Sequence, residues 1–142
     1  MTMREGLPAG LPDGPAGRQQ HDRAYFLDLL GDSHNGLGAY GAAIEAYQQA
    51  AEAFRTSGAH CSYALCLLKI AECHLGLEEP WHAVGYLEAC LPLLRGLGLV
   101  RHHGLAQQRL EGCQAGLAQA RLLREGRTAR ARQDPGLSRP AS

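Results

Sequence analysis

The chain has 142 residues, 45% of them hydrophobic and 20% charged, which suits one soluble domain with a modest core. Basic and acidic side chains number 14 each, so no net field draws the molecule to nucleic acid or a membrane surface. No run of 18 or more apolar residues is present, so no membrane-spanning helix is expected.

The opening, MTMREGLPAGLPDGPAG, lacks the apolar core of a secretory signal, and residues 1–20 are read as a disordered segment. The five cysteines (Cys61, Cys66, Cys73, Cys90, Cys113) are odd in number and fall inside helical patterns. Reduced thiols in a cytoplasmic protein are therefore the expectation.

From residue 21 the pattern is helical. Phe26, Leu29, Leu30 and Leu37 recur at helical spacing, and Gly36–Tyr40 supplies a turn. A second helix carries Ala43, Ile44, Tyr47, Ala50, Ala51 and Phe54 and stops near Thr56-Ser57-Gly58. Superposing 30–58 on 70–98 shows why the next stretch reads the same way. His34 falls on His74, Gly36 on Gly76, Leu37 on Leu77, Ala43 on Ala83, Arg55 on Arg95 and Gly58 on Gly98, a period of 40. Pro80 suits the first position of the fourth helix, with acids just ahead of it. Ala83, Val84, Leu87, Cys90, Leu91 and Leu94 continue that helix, Pro92 bends its last turn, and Gly96 and Gly98 end it. A third unit opens near Val100 and runs through Leu105, Leu110, Cys113 and Leu117. Its second helix is lost to an arginine-rich stretch, leaving five main helices and at most a short sixth. A period between 20 and 50 residues is the mark of a solenoid, in which each unit buries its apolar face on its neighbours.

The run Leu30-Gly31-x-x-His34-x-x-Leu37-Gly38-x-Tyr40-x-x-Ala43-Ile44-x-x-Tyr47-x-x-Ala50 resembles the tetratricopeptide consensus. The resemblance covers roughly residues 22–120. It departs from the family in its spacing of 40 rather than 34, and in histidines where the family has a first-helix aromatic. It implies an all-α fold of about two and a half helix–turn–helix repeats over residues 21–120, forming a short right-handed α-solenoid. Gly31, Ala43, Tyr47, Ala50, Ala71, Ala83, Leu87 and Cys90 are its expected packing residues. Segments such as Phe26–Asp32, Tyr63–Lys69 and Gly85–Leu94 are also similar to C-terminal repeat arrays of actinobacterial SARP-like and signal-transduction ATPase transcriptional regulators.

Histidine and cysteine raise the question of a metal, since Cys66, Cys73 and His74 share one predicted helix. Zinc ligands usually come as close pairs such as Cys-x-x-Cys, and none is present. Cys66 and Cys73 lie two turns apart, roughly 10 Å along the axis. Small core fillers are the commoner role of such thiols. No nucleophile–base context surrounds Cys61 or any serine, so no enzymatic role, cofactor or metal is expected. His60, His102 and His103 are read as exposed loop residues. Trp81 is open to two readings, inter-repeat packing or part of a contact surface.

Residues 121–142 hold six arginines against Glu125 and Asp134 and are read as a mostly disordered tail. Arrays of this type bind partners on the concave face. The resemblance therefore points to Tyr25, Asp28, Asp32 and Asn35, then Leu65, Lys69 and Glu72, then Gln108 and Arg109. The expected function is protein or peptide recognition within transcriptional regulation. Self-association through an uncapped apolar end and nucleic-acid association through the arginine tail are the alternatives.

Overall fold

A computed structural model describes residues 15–133 of the chain. It is all-helical among these residues: α1 (Pro15–Gly36), α2 (Tyr40–Ser57), α3 (His60–Gly76), α4 (Pro80–Gly96) and α5 (Val100–Gln133). Two or three residues separate successive helices, so each doubles back on the one before it. Each helix packs against its neighbours in sequence and only marginally against any other.

The reversals share one design. Gly38, Gly58, Glu78 and Gly98 hold positive φ values of 76°, 80°, 59° and 72°, the left-handed conformation that ends a helix. Behind each, the carbonyl of the residue four positions earlier accepts a backbone N–H from the residue just after it. Ala39 donates to His34, Ala59 to Phe54, Glu79 to His74 and Leu99 to Leu94, at 2.8–3.0 Å. None of the N-caps Ala39, Ala59 and Glu79 uses its side chain, so backbone closure alone sets these corners.

The core is built from small residues. Ala43, Ile44 and Tyr47 of α2 meet Ile70 and Cys73 of α3, while Ala50, Ala53 and Phe54 enclose Ala24 and Cys66. A larger cluster joins Leu67, Leu68 and Ala71 of α3 to Ala83, Leu87, Cys90 and Leu94 of α4, and reaches Ala106 and Cys113 of α5. Burying each leucine here contributes about 1.5–3 kcal/mol. Alanine and glycine contribute little area but let the helix backbones approach closely. All eight expected packing residues are buried: Gly31, Ala43, Tyr47, Ala50, Ala71, Ala83, Leu87 and Cys90.

Three sequence expectations differ from the structure. The stripe Phe26–Leu29–Leu30–Leu37 has helical spacing but points away from the core. Phe26 is 66% exposed and Leu37 82%, while Ala24 and Gly31 take the buried side of α1. Spacing alone does not reveal which face a helix buries. Second, residues 121–133, expected to be mostly disordered, continue α5 as helix, and residues 15–20 belong to α1. Alanine, leucine and arginine favour that state, and Arg121 pairs with Glu125 one turn on at 3.0 Å. Residues 1–14 and 134–142 of the two expected disordered segments lie outside the described residues. Third, His60, His102 and His103 occupy the first turns of α3 and α5 rather than loops.

A Cβ on Gly31 would lie 2.5 Å from Cε1 of the buried Tyr47 ring, too close for either helix to accept without moving. Gly31→Ala should therefore lower unfolding free energy by about 1–3 kcal/mol in urea titrations monitored by circular dichroism. Gly76→Ala meets only the outer end of the half-buried Tyr40 ring, where Gly31→Ala meets a fully buried one, and should cost less.

Candidate partner-binding face

The residues expected on one face come from α1, α3 and α5, and ion pairs join them across these helices. Lys69 Nζ of α3 donates to Asp28 Oδ1 at 3.0 Å and to Asp32 Oδ1 at 3.1 Å, both on α1. Arg109 of α5 lies 3.9 Å from the Glu72 carboxylate on α3. Tyr47 reaches the same place from α2, its hydroxyl donating to Asp32 at 2.5 Å while Lys69 lies 5.4 Å from its ring centre. The lysine is thus held by two carboxylates and an aromatic face. Asp28 also accepts from the Cys66 thiol at 3.8 Å.

The remaining expected residues are less engaged. Tyr25 is exposed and sits edge-on to Phe54. Asn35 is exposed at the end of α1, and Leu65 is half-buried against the α3–α4 core. Gln108 and Arg109 border a depression of about 320 Å³ whose walls include Leu75, Pro80 and Cys113. Sequence reasoning missed Tyr47 as a member of this face, having assigned it to packing alone; it does both. It also missed an aromatic group where α3 meets α4. There His74 hydrogen-bonds Glu79 at 3.0 Å and stacks on Tyr86, whose hydroxyl accepts from Gln48. Trp81 is exposed beside His82, so the packing reading of that residue does not hold.

The electrostatics here are those of a structural network. Burial tends to lower the Lys69 pKa, but the hydrogen bonds and charges of Asp28 and Asp32 outweigh it and the net shift is upward. Burial, then the hydrogen bond to Asp32, raises the Tyr47 phenol well above its ordinary value. Burial, then the Asp28 charge, pushes the Cys66 thiol up to about 12, and burial raises Cys73 and Cys90 to about 11. Such thiols stay protonated and make poor nucleophiles and metal ligands. Among the described residues no three histidine, cysteine, aspartate or glutamate side chains gather as a metal ion would need. Nor is any described helix long and apolar enough to cross a membrane.

Comparison with known proteins adds no assignment: no family model, no curated protein and no solved structure matches the chain.

The thiol shifts fix the sign of an alkaline transition. Cys66, Cys73 and Cys90 hold their protons in the folded state beyond pH 9, where the unfolded chain releases them. Their contribution to stability is therefore complete below about pH 9 and is lost as pH rises toward 11 for Cys73 and Cys90 and toward 12 for Cys66. Urea midpoints should be level between neutrality and pH 9 and then fall, with a shallower fall in Cys73→Ala. A rise above pH 9 would contradict the assignment. In the native protein, iodoacetamide should label the exposed Cys61 and spare Cys66, Cys73, Cys90 and Cys113 until urea is added, as peptide mass spectrometry would read.

Proposed function

We propose that the chain is a short binding module of the tetratricopeptide kind that takes a peptide or helix across the α1–α3–α5 face, and that it has no catalytic role. In this reading α1–α2 and α3–α4 are two successive units, α5 opens a third, and the five helices stack as a short right-handed solenoid. The spacing of the left-handed residues supports it, since residues 38 and 78, and again 58 and 98, play the same part 40 positions apart.

The observation that carries the functional part is the line of ion pairs Asp28/Asp32–Lys69 and Glu72–Arg109, which sets one side of α1, α3 and α5 edge to edge. The fixed charges along that line are three carboxylates, one ammonium and one guanidinium. Beside Arg109 the depression walled by Leu75, Pro80 and Cys113 offers an apolar seat. A ligand fitting this face carries an apolar side chain next to a carboxylate for Arg109, with basic groups toward Asp28 and Asp32. The resemblance to regulator repeat arrays suggests a regulatory adaptor in transcription as the setting.

A peptide-display selection on the purified protein tests the reading. Selected peptides should combine those features and bind Asp32→Lys or Arg109→Glu at least about tenfold more weakly, a loss of roughly 1.4 kcal/mol. Both side chains are nearly half exposed, so the variants should keep the wild-type circular dichroism. Peptides that bind both variants as well as the wild type would refute the assignment of this face.

A further inference from the structure

The far side of the last helix pair carries a groove of about 660 Å³ between α4 and α5, with Leu91, Pro92 and Leu110 along it, Arg95 and His103 at one end, and Glu111 toward the other. Forty positions before Gln107 and Glu111, which also line this groove, stand Leu67 and Ala71, buried against Ala83 and Leu87 of α4. The groove is therefore the seat that a helix following α5 would take, and none of the five described helices takes it.

The chain carries a segment suited to that seat. Residues 120–133 form the second half of α5, where Leu122 and Leu123 are 67% and 61% exposed among the described residues. Their charge is complementary to the rest of the molecule. Residues 15–119 hold seven basic and ten acidic side chains, a net of −3, whereas residues 120–133 hold five arginines and one glutamate, a net of +4. The segment does not lie in its own groove because α5 does not turn. Gly116-Leu117-Ala118-Gln119 has the Gly-Leu-x-x form of the corners at 36–39, 76–79 and 96–99. Yet Ala118 stands where Gly38, Glu78 and Gly98 adopt positive φ, and the helix runs straight through. The second half then projects roughly 21 Å beyond the fold.

We infer that residues 120–133 of each molecule dock in the α4–α5 groove of a second copy, the two α5 helices lying antiparallel about a two-fold axis near Ala118. This is the helix-swapped form of a hairpin that the sequence at 118 does not close. The pairing sets Leu122 level with Gln114 and Gly126 level with Leu110, and it brings Arg124 and Glu125 alongside Gly112 and Glu111. Glu88, one turn before Pro92 on the neighbouring helix, adds a second carboxylate for the arginines. Arg95 and His103 end up level with the last turn of the partner's segment, so attraction is concentrated around Leu122–Arg127. The surface is separate from the α1–α3–α5 face, and the inference stands whether or not that face binds peptide.

Sedimentation equilibrium of the full chain across the micromolar range, with circular dichroism as the check on folding, tests it. The expected result is a reversible dimer that Leu122→Glu combined with Leu123→Glu weakens at least tenfold. Glu111→Arg should weaken it too, and adding Arg124→Glu should restore it. Ala118→Gly should shift the protein to monomer by letting the corner close within one chain. A wild type that stays monomeric would overturn the inference. So would a dimer that the Leu122/Leu123 variant leaves intact, which would direct attention to Phe26 and Leu30 on the uncovered side of α1.

Discussion

The chain reverses direction at residues 38, 58, 78 and 98, and each reversal depends on one residue held in the left-handed backbone region. Such a corner ends a helix within a residue or two and satisfies the carbonyl four positions back without help from a side chain. Because the corners are 20 residues apart, the helices between them, of 17 or 18 residues, have about five turns before the chain folds back. Everything else follows from that spacing. The cores form between consecutive helices, α1, α3 and α5 run in one direction, and their polar edges come together. Three of the corners use glycine, which takes this conformation freely. Glu78 shows that another residue tolerates it at a cost of about 1–2 kcal/mol.

Within this frame the packing is economical. Alanine, glycine and cysteine at the crossings permit close approach, and a few large residues, Tyr47, Phe54, Ile70, Leu87 and Leu94, supply most of the buried bulk. Tyr47 links packing to the surface. Its ring lies against Gly31, and its hydroxyl holds Asp32 in place for Lys69. The candidate binding face is thus anchored to the core, so its charges are presented in a fixed pattern rather than on freely moving side chains.

Much of this was legible in the sequence. The corners were visible as glycines at the ends of periodic apolar stretches, and the packing residues stood out as small side chains recurring at the same register. Three features were not. Phe26, Leu29, Leu30 and Leu37 have flawless helical spacing, but none of the described helices packs on their side, and periodicity carries no sign for inside or outside. The continuation of α5 through Arg121–Gln133 was obscured by the arginines, which look like a solvated tail yet favour helix as strongly as leucine does. The links from Lys69 to Asp28 and Asp32 span about 40 residues of sequence, and only the successive packing of α1 on α2 and α2 on α3 brings them within reach.

The role of the left-handed corners is tested most directly by making the same chemical change at two glycines that both have open space around the missing Cβ. Gly98 sits at a corner with φ of 72°, and Gly85 lies inside α4. If backbone conformation governs, urea unfolding of Gly98→Ala should show a loss of about 1–2 kcal/mol, the cost of forcing a side chain into the left-handed region. Gly85→Ala should gain about 0.5–1 kcal/mol, as expected inside a helix. If Gly98→Ala matched or exceeded the wild type in stability, the corners would not be what sets this fold.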